Sequence, residues 1–348
     1  MMKEAIVSKK EIVVKGLISY ALSEVERKYG TGKEDGENPK KYHNRAHSEV
    51  VLGTARMIAR LSLEAGKIAT SDIPLVEIAA SYHDIQQDLG SGLNEKESAR
   101  IAAEEMRKTG SFKEEDIQKV KRMILATNVS FENGSLRQSA TDEYPTQIIA
   151  DADLAHLGQE PSIYWETAKN VLKELKGTDT PSREDEIAFT KGNLTLLENH
   201  RFYTEEATRL FPHRQQNIEF TQEHIESLVS EGQVVSSVVQ LVQNFCGDRE
   251  YLGDKPYQIQ AIDEVDKTAY VLEIRKGTDN DEEWIAIGQR EIDNPILTKT
   301  FLLRRKSGDD WKFIDPDPKG MEVSHLPGLR IVRERLQRAW DAEPKELL

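Results

Sequence analysis

Residues 76–85 read VEIAASYHDI, an apolar helical segment that ends on the adjacent pair His83 and Asp84. Pro74 in its first turn is typical of a helix that begins just before it. A charged carboxylate at the end of a buried helix costs free energy unless it is paired or ligated. His-Asp pairs also arise by chance, so the segment predicts a buried helix and leaves the role of the pair open.

Outward from this segment, apolar residues recur at three- and four-residue steps up to about residue 244. From residue 257 the pattern alternates, as in YQIQAI at 257–262, and five such runs are separated by turn residues. We therefore expect a mainly α protein, with a helical bundle domain at 1–244 and a small antiparallel β-rich (α+β) domain with a terminal helix at 245–348. The apolar, β-branched residues 234–244 leave their own state undecided.

Composition limits the classes of function. The 348 residues carry a net charge of -14, which disfavours nucleic acid as a partner. The single cysteine, Cys246, cannot form an internal disulfide and fits a reducing compartment. No apolar run approaches the roughly 20 residues that span a bilayer, and we expect no signal peptide at the N-terminus, where apolar and polar residues alternate. These features predict a cytoplasmic protein with no membrane partner.

Two further segments carry candidate metal ligands. In YHNRAH at 42–47, His43 and His47 are four residues apart and share a face if the helix has already begun; the alternative is two exposed loop histidines. In IIADADLAHLG at 148–158, Asp151 and Asp153 lie within an apolar run, where one can cap a helix and a metal would explain the other. A purely structural aspartate is the competing interpretation.

Taken together, His47, His83, Asp84 and Asp153 form a mixed nitrogen and oxygen ligand set. Such a set suits a divalent ion, with manganese, iron, nickel, cobalt, zinc and magnesium all retained as candidates. An ion held by few protein ligands keeps positions for water and substrate, and activates that water near neutral pH.

The three segments, in this order, resemble the HD-domain superfamily of metal-dependent phosphohydrolases over about residues 10–230. YHNRAH is also similar to the corresponding segment of the cyclic-nucleotide phosphodiesterases. The resemblance implies an HD-type helical bundle in which His47, His83, Asp84 and Asp153 bind the metal. It further implies that Asp84 bridges to a second, weaker ion.

The remaining roles also follow from the resemblance. His43 matches the phosphodiesterase histidine that gives a proton to the leaving oxygen. Asp151 is a second-shell partner, or the ligand if the register is shifted by two residues, and Asp88 is another acidic residue that could line the site. No histidine lies between the signature pair and Asp153, which argues against the two-iron and oxygenase branches.

The sequence thus predicts metal-dependent hydrolysis of a phosphate ester, either a monoester or a diester, of a nucleotide or another small phosphorylated metabolite. The alternative is a non-catalytic nucleotide-sensing module that keeps the metal site. The role of the β-rich domain and the formation of a homo-oligomer stay open.

Overall fold

Helices account for most of the chain in the computed structural model. The structure describes residues 9–31, 36–132, 135–246, 257–262, 269–279, 282–291, 299–306, 309, 311–314 and 332–338. The α-helices are α1 Lys9–Tyr29, α2 Arg45–Glu64, α3 Ile73–Tyr82, α4 Leu93–Thr109, α5 Glu114–Leu125, α6 Tyr144–Asp153, α7 Pro161–Lys176, α8 Arg183–Asn199, α9 Glu205–Leu210 and α10 Arg214–Cys246.

Local sequence explains where the helices that carry the candidate ligands begin. The side-chain oxygen of Asn44 caps α2 by accepting a hydrogen bond from the backbone N–H of Ala46, at 2.9 Å. Pro74 and Pro145 lie in the first turns of α3 and α6, where a missing N–H leaves no helical bond unmade. These starting points determine which side chains of α2, α3 and α6 share a face of their helix.

The apolar faces of α1 to α6 share one core, joined by residues of α9. Along α2, the buried residues Val51, Ala55 and Ile58 follow helical spacing and are at most 1% exposed. Tyr29 and Tyr82 are among the largest fully buried side chains of this core. The bundle thereby fixes the N-terminal end of α2 beside the C-terminal ends of α3 and α6.

A short hairpin that the sequence analysis did not predict lies between α5 and α6. Strands β1 Val129–Glu132 and β2 Ser135–Gln138 pair antiparallel, with Val129 opposite Gln138. The amide of Gln138 donates to the carbonyl of Ala150 at 2.9 Å, which ties the hairpin to α6. Each strand has only four residues, too few for an alternating pattern to predict it from the sequence.

The C-terminal strands form a five-stranded antiparallel sheet in the order β3-β4-β5-β6-β7. The strands are β3 Tyr257–Ile262, β4 Ala269–Asp279, β5 Glu282–Glu291, β6 Lys299–Lys306 and β7 Lys312–Ile314. Their core includes Leu272 and Ile287, together with Val242 of α10 and Leu336 of the helical segment 332–338. The predicted fold class, mainly α with a small antiparallel β domain, is confirmed.

The backbone contacts divide the chain into two units between Ile225 and Glu226, inside α10. The expected boundary, 244/245, lies near the C-terminal end of that helix. The observed division comes earlier because residues 234–244 are helical and because Val238, Val239 and Val242 belong to the core of the sheet. Among the described helices, none has the length and apolar character needed to cross a bilayer.

Candidate metal centre

Four of the predicted side chains meet in the first unit. His47 lies in the first turn of α2, His83 and Asp84 follow the last residue of α3, and Asp153 ends α6. The Nε2 atoms of His47 and His83 are 3.3 Å apart. Asp84 Oδ2 lies 3.1 Å from each of these nitrogens, and Asp153 Oδ1 lies 3.3 Å and 3.5 Å from them.

These separations fit a shared coordination sphere. With metal–ligand bonds of about 2.1 Å, neighbouring ligand atoms are about 3.0 Å apart in octahedral geometry and about 3.4 Å apart in tetrahedral geometry. The ligand atoms of His47, His83 and Asp84 all lie within 4.8 Å of one another. These three residues form a buried group that can hold a metal ion, and Asp153 approaches both imidazoles of that group.

The orientation of Asp84 supports coordination over simple pairing. Its Oδ2 is buried and accepts no aligned hydrogen bond among the described residues, although both imidazole nitrogens are close. Its other oxygen, Oδ1, accepts a hydrogen bond from Nε2 of Gln87 at 2.6 Å. The carboxylate is thus held by one oxygen while the other faces the histidines, as a metal ligand requires.

His83 is oriented by the backbone. Its Nδ1 lies 2.8 Å from the carbonyl oxygen of Ala80 and donates to it, so Nε2 points into the cluster and presents its lone pair there when the ring is neutral. Gln87 is fixed in turn by Asn94, whose amide donates to its Oε1 at 3.3 Å. The sequence analysis missed Gln87; its only signal was its place three residues after Asp84 in the polar run that follows α3.

Opposite charges stabilise the side chains of the group. Burial opposes protonation of both histidines. Asp153 and Asp84 nevertheless raise the pKa of His47. The negative charge of Asp84 is the largest of the influences that hold the pKa of His83 well above its usual value. Burial likewise disfavours the charged carboxylates, yet His83 holds the pKa of Asp84 well below its usual range, and contacts with His47 and His83 lower the pKa of Asp153 to about 2. A metal ion at this site must therefore compete with imidazole protons.

His43 lies beside the group and is held by Glu174 of α7. Its Nδ1 is 2.5 Å from Glu174 Oε1, and Glu174 Oε2 accepts the backbone N–H groups of Tyr42 and His43 at 2.7 Å and 3.0 Å. Burial opposes ionisation of Glu174, but its contact with His43 lowers the pKa of the carboxyl overall. The ionised carboxylate makes Nδ1 a donor and leaves Nε2 of His43 to act on a ligand. The sequence analysis missed Glu174.

Asp151 makes structural hydrogen bonds and is not part of the group of ligands. Its carboxylate accepts the backbone N–H groups of Tyr203 and Thr204, both at 2.8 Å, and the hydroxyl of Thr204 at 2.6 Å. It therefore fastens α6 to the start of α9, where Thr204 is the N-cap. Burial is the main influence on its pKa, which is raised to about 6.

Asp88 is also engaged away from the histidines. Its carboxylate accepts hydrogen bonds from the hydroxyl of Tyr29 at 2.9 Å and the amide of Asn38 at 2.6 Å, and it lies 3.7 Å from Nζ of Lys40. Asp88 thus holds the end of α1 and the segment before α2 against the turn after α3. Neither Asp151 nor Asp88 has a described contact with His47 or His83.

Two clefts adjoin at the group. The larger, about 400 Å³, is lined by His47 and Asp153, and the smaller, about 250 Å³, by His43, Asp84 and Asp153. His156, which the sequence analysis did not assign, lines both clefts, and burial lowers its pKa to about 4. A neutral imidazole at this position offers a hydrogen-bonding group that adds no positive charge.

No protein-family model matches the chain, and no curated protein matches it. The arrangement of the side chains is therefore the basis for the function proposed below.

Proposed function

We propose that this protein is a metal-dependent phosphohydrolase of the HD-domain superfamily, acting on a phosphate ester of a nucleotide or another small phosphorylated metabolite. The observation that carries the proposal is the approach of two imidazoles and two carboxylates from three distant segments, at 3.1 to 3.5 Å, beside two clefts. A simple hydrogen-bonded ion pair would give Asp84 Oδ2 an aligned donor. This oxygen instead faces both imidazoles and has no aligned donor among the described residues.

Each residue of the group has a role in this proposal. His47, His83 and Asp84 would hold one divalent ion, with Asp153 as a fourth ligand. When bound, such an ion would supply Lewis acidity and lower the pKa of a bound water towards neutral pH. Gln87 fixes the orientation of Asp84 through the 2.6 Å hydrogen bond to its Oδ1.

His43 acts as the general acid. Glu174 binds Nδ1 and the backbone before it, so Nε2 can give a proton to the leaving oxygen of an ester in the smaller cleft. Among the described residues that line the clefts, Lys41 is the only lysine or arginine, and its Nζ pairs with Asp179 at 2.9 Å. The charge of a bound phosphate is therefore met chiefly at the metal centre.

Metal content and catalysis are tested together. The purified protein should retain a divalent transition metal and should hydrolyse at least one ester in a panel of phosphomonoesters and phosphodiesters assayed with added manganese. Asp84→Ala should lose both properties, whereas Asp142→Ala, which alters an exposed aspartate, should lose neither.

Two results would count against the proposal. Bound metal with no turnover of any phosphate ester would favour the non-catalytic nucleotide-sensing alternative. A protein that binds no divalent ion at micromolar concentration would contradict both interpretations. Asp84→Asn, which keeps the volume of the side chain, guards against loss of activity through misfolding of the alanine variant.

A further inference from the structure

The two clefts share one wall at the metal centre. Tyr42, Asp153 and His156 line both of them, so the larger and the smaller cleft share the carboxylate of Asp153 while their other lining residues differ. Their volumes, about 400 Å³ and about 250 Å³, are each of a size for a small organic group. A ligand centred on this carboxylate has room to extend into both.

The chemical linings of the clefts differ. The larger cleft carries exposed apolar side chains, Val50 at 56% and Ile163 at 49%, together with the amides of Gln159 and Asn170. An apolar wall with a few amides suits a flat heteroaromatic ring or a similar amphipathic group. It is the surface on which the non-reacting part of a substrate can bind.

The smaller cleft contains His43 and has a mixed lining, in which the apolar side chains of Val171, Phe189 and Leu196 lie beside polar groups. Gln87, Thr127 and Asn193 contribute amide and hydroxyl groups, and Glu95 contributes a carboxylate whose Oε2 accepts the backbone N–H of Gly92 at 2.7 Å. The described lining of this cleft contains no lysine or arginine. Away from the metal centre, a di- or triphosphate group would meet the carboxylate of Glu95 and no lysine or arginine of the described lining, so the cleft favours an uncharged organic group.

We infer that the substrate is an acyclic phosphodiester with two organic arms, whose leaving arm occupies the smaller cleft and whose retained arm occupies the larger. This inference rests on the proposed function. A monoester has one arm and would leave the larger cleft unused. A cyclic nucleotide carries both ester oxygens on one sugar and could not extend in both directions.

The position of His43 decides which arm leaves. Hydrolysis forms a bond from the oxygen of water to phosphorus and breaks the bond from phosphorus to one ester oxygen, with the two oxygens roughly in line. His43 lines only the smaller cleft, so its proton goes to the ester oxygen of the arm bound there. The products are the alcohol from the smaller cleft and a phosphate monoester of the retained arm. The protons of water pass to solvent, from which His43 is reprotonated.

Three esters with the same leaving group test the inference: 4-nitrophenyl phosphate, methyl 4-nitrophenyl phosphate and the 4-nitrophenyl ester of thymidine 5′-phosphate. Rates are compared after division by the uncatalysed rate of each ester. The thymidine diester should have a kcat/KM at least tenfold above that of the methyl diester, because its retained arm fills the larger cleft. Both diesters should exceed the monoester.

A substitution in the larger cleft then localises the effect. Val50→Trp should lower kcat/KM for the thymidine diester at least tenfold and change that for the methyl diester less than twofold. Met57→Trp is the matched control, since Met57 lies on the same helix, is 42% exposed and is absent from both linings. It should change neither rate, and circular dichroism should show that both variants are folded.

The outcomes separate the two proposals. Faster hydrolysis of the monoester than of the two diesters, or equal hydrolysis of the two diesters, would overturn the inference and leave the proposed phosphohydrolase intact. An equal effect of Val50→Trp on both diesters, or no effect on either, would also overturn it. If none of the esters is hydrolysed by the metal-loaded protein, the proposed function fails and the inference fails with it.

Discussion

Metal binding should release protons from the candidate site. The pKa of His47 is raised and that of His83 is raised well above its usual value, so the folded chain holds protons on these imidazoles below their folded pKa values. A metal ligand must be a neutral imidazole. Metal affinity should therefore rise as pH increases through neutrality and become constant once both imidazoles are neutral.

The number of histidines sets the size of this effect. Two imidazoles release at most about two protons per ion, because the pKa values of Asp84 and Asp153 are already lowered. Release of two protons changes the binding constant about a hundredfold per pH unit, which is about 2.7 kcal/mol.

Calorimetric titration with Mn²⁺, in buffers with different enthalpies of ionisation, measures the released protons directly. Measured at several pH values between about 6 and 8, the count should not exceed two and should fall as pH rises, because the imidazoles lose their protons. His83→Gln should reduce it by about one and weaken binding. His213→Gln, which alters a histidine paired with Glu160 at 3.1 Å outside both clefts, should leave it unchanged. A binding constant that does not vary over this pH range would refute the reasoning.

Three further substitutions test individual contacts. Gln87→Ala should weaken metal binding about 10- to 100-fold in the same titration, because Asp84 loses the hydrogen bond that orients it. Glu174→Gln should lower kcat about 10- to 100-fold with KM nearly unchanged, because His43 loses the carboxylate that holds Nδ1; an unchanged kcat would exclude a role for this contact. The pKa of Asp151 is raised to about 6 from 3.8, so wild-type stability should fall as pH rises through this window, by about 3 kcal/mol in total. Asp151→Asn should lack that slope in urea unfolding, and parallel slopes would contradict the assignment.

Periodicity carried most of the information about the fold. The helical spacing of the first 244 residues and the alternation after residue 257 predicted the mainly α architecture with a small antiparallel sheet, because buried faces impose these periods on the sequence. The hairpin at 129–138 was missed because each of its strands has only four residues, too few for alternation to stand out from the sequence. The division of the backbone contacts inside α10 depends on which core each half of that helix enters, which periodicity does not report.

For the site, the sequence by itself determined the candidate residue types and the three segments that carry them. His83 and Asp84 stand out because a charged pair at the end of an apolar helix needs compensation. Only the tertiary structure distinguished Asp153, whose Oδ1 is 3.3 Å from His47, from Asp151, which binds the backbone at the start of α9. Two residues apart on a helix, the two carboxylates point in different directions, and that difference becomes visible only once the packing partners are known.

The partners of the ligands were likewise decided by the fold. Glu174 is 131 positions from His43, and no local pattern connects the two residues. Hydrogen bonds of this kind depend on how helices pack, whereas sequence periodicity reports only which face of a helix is buried. The chain therefore encodes its candidate ligands in short segments, and the packing of α2, α3, α6 and α7 determines how they are oriented.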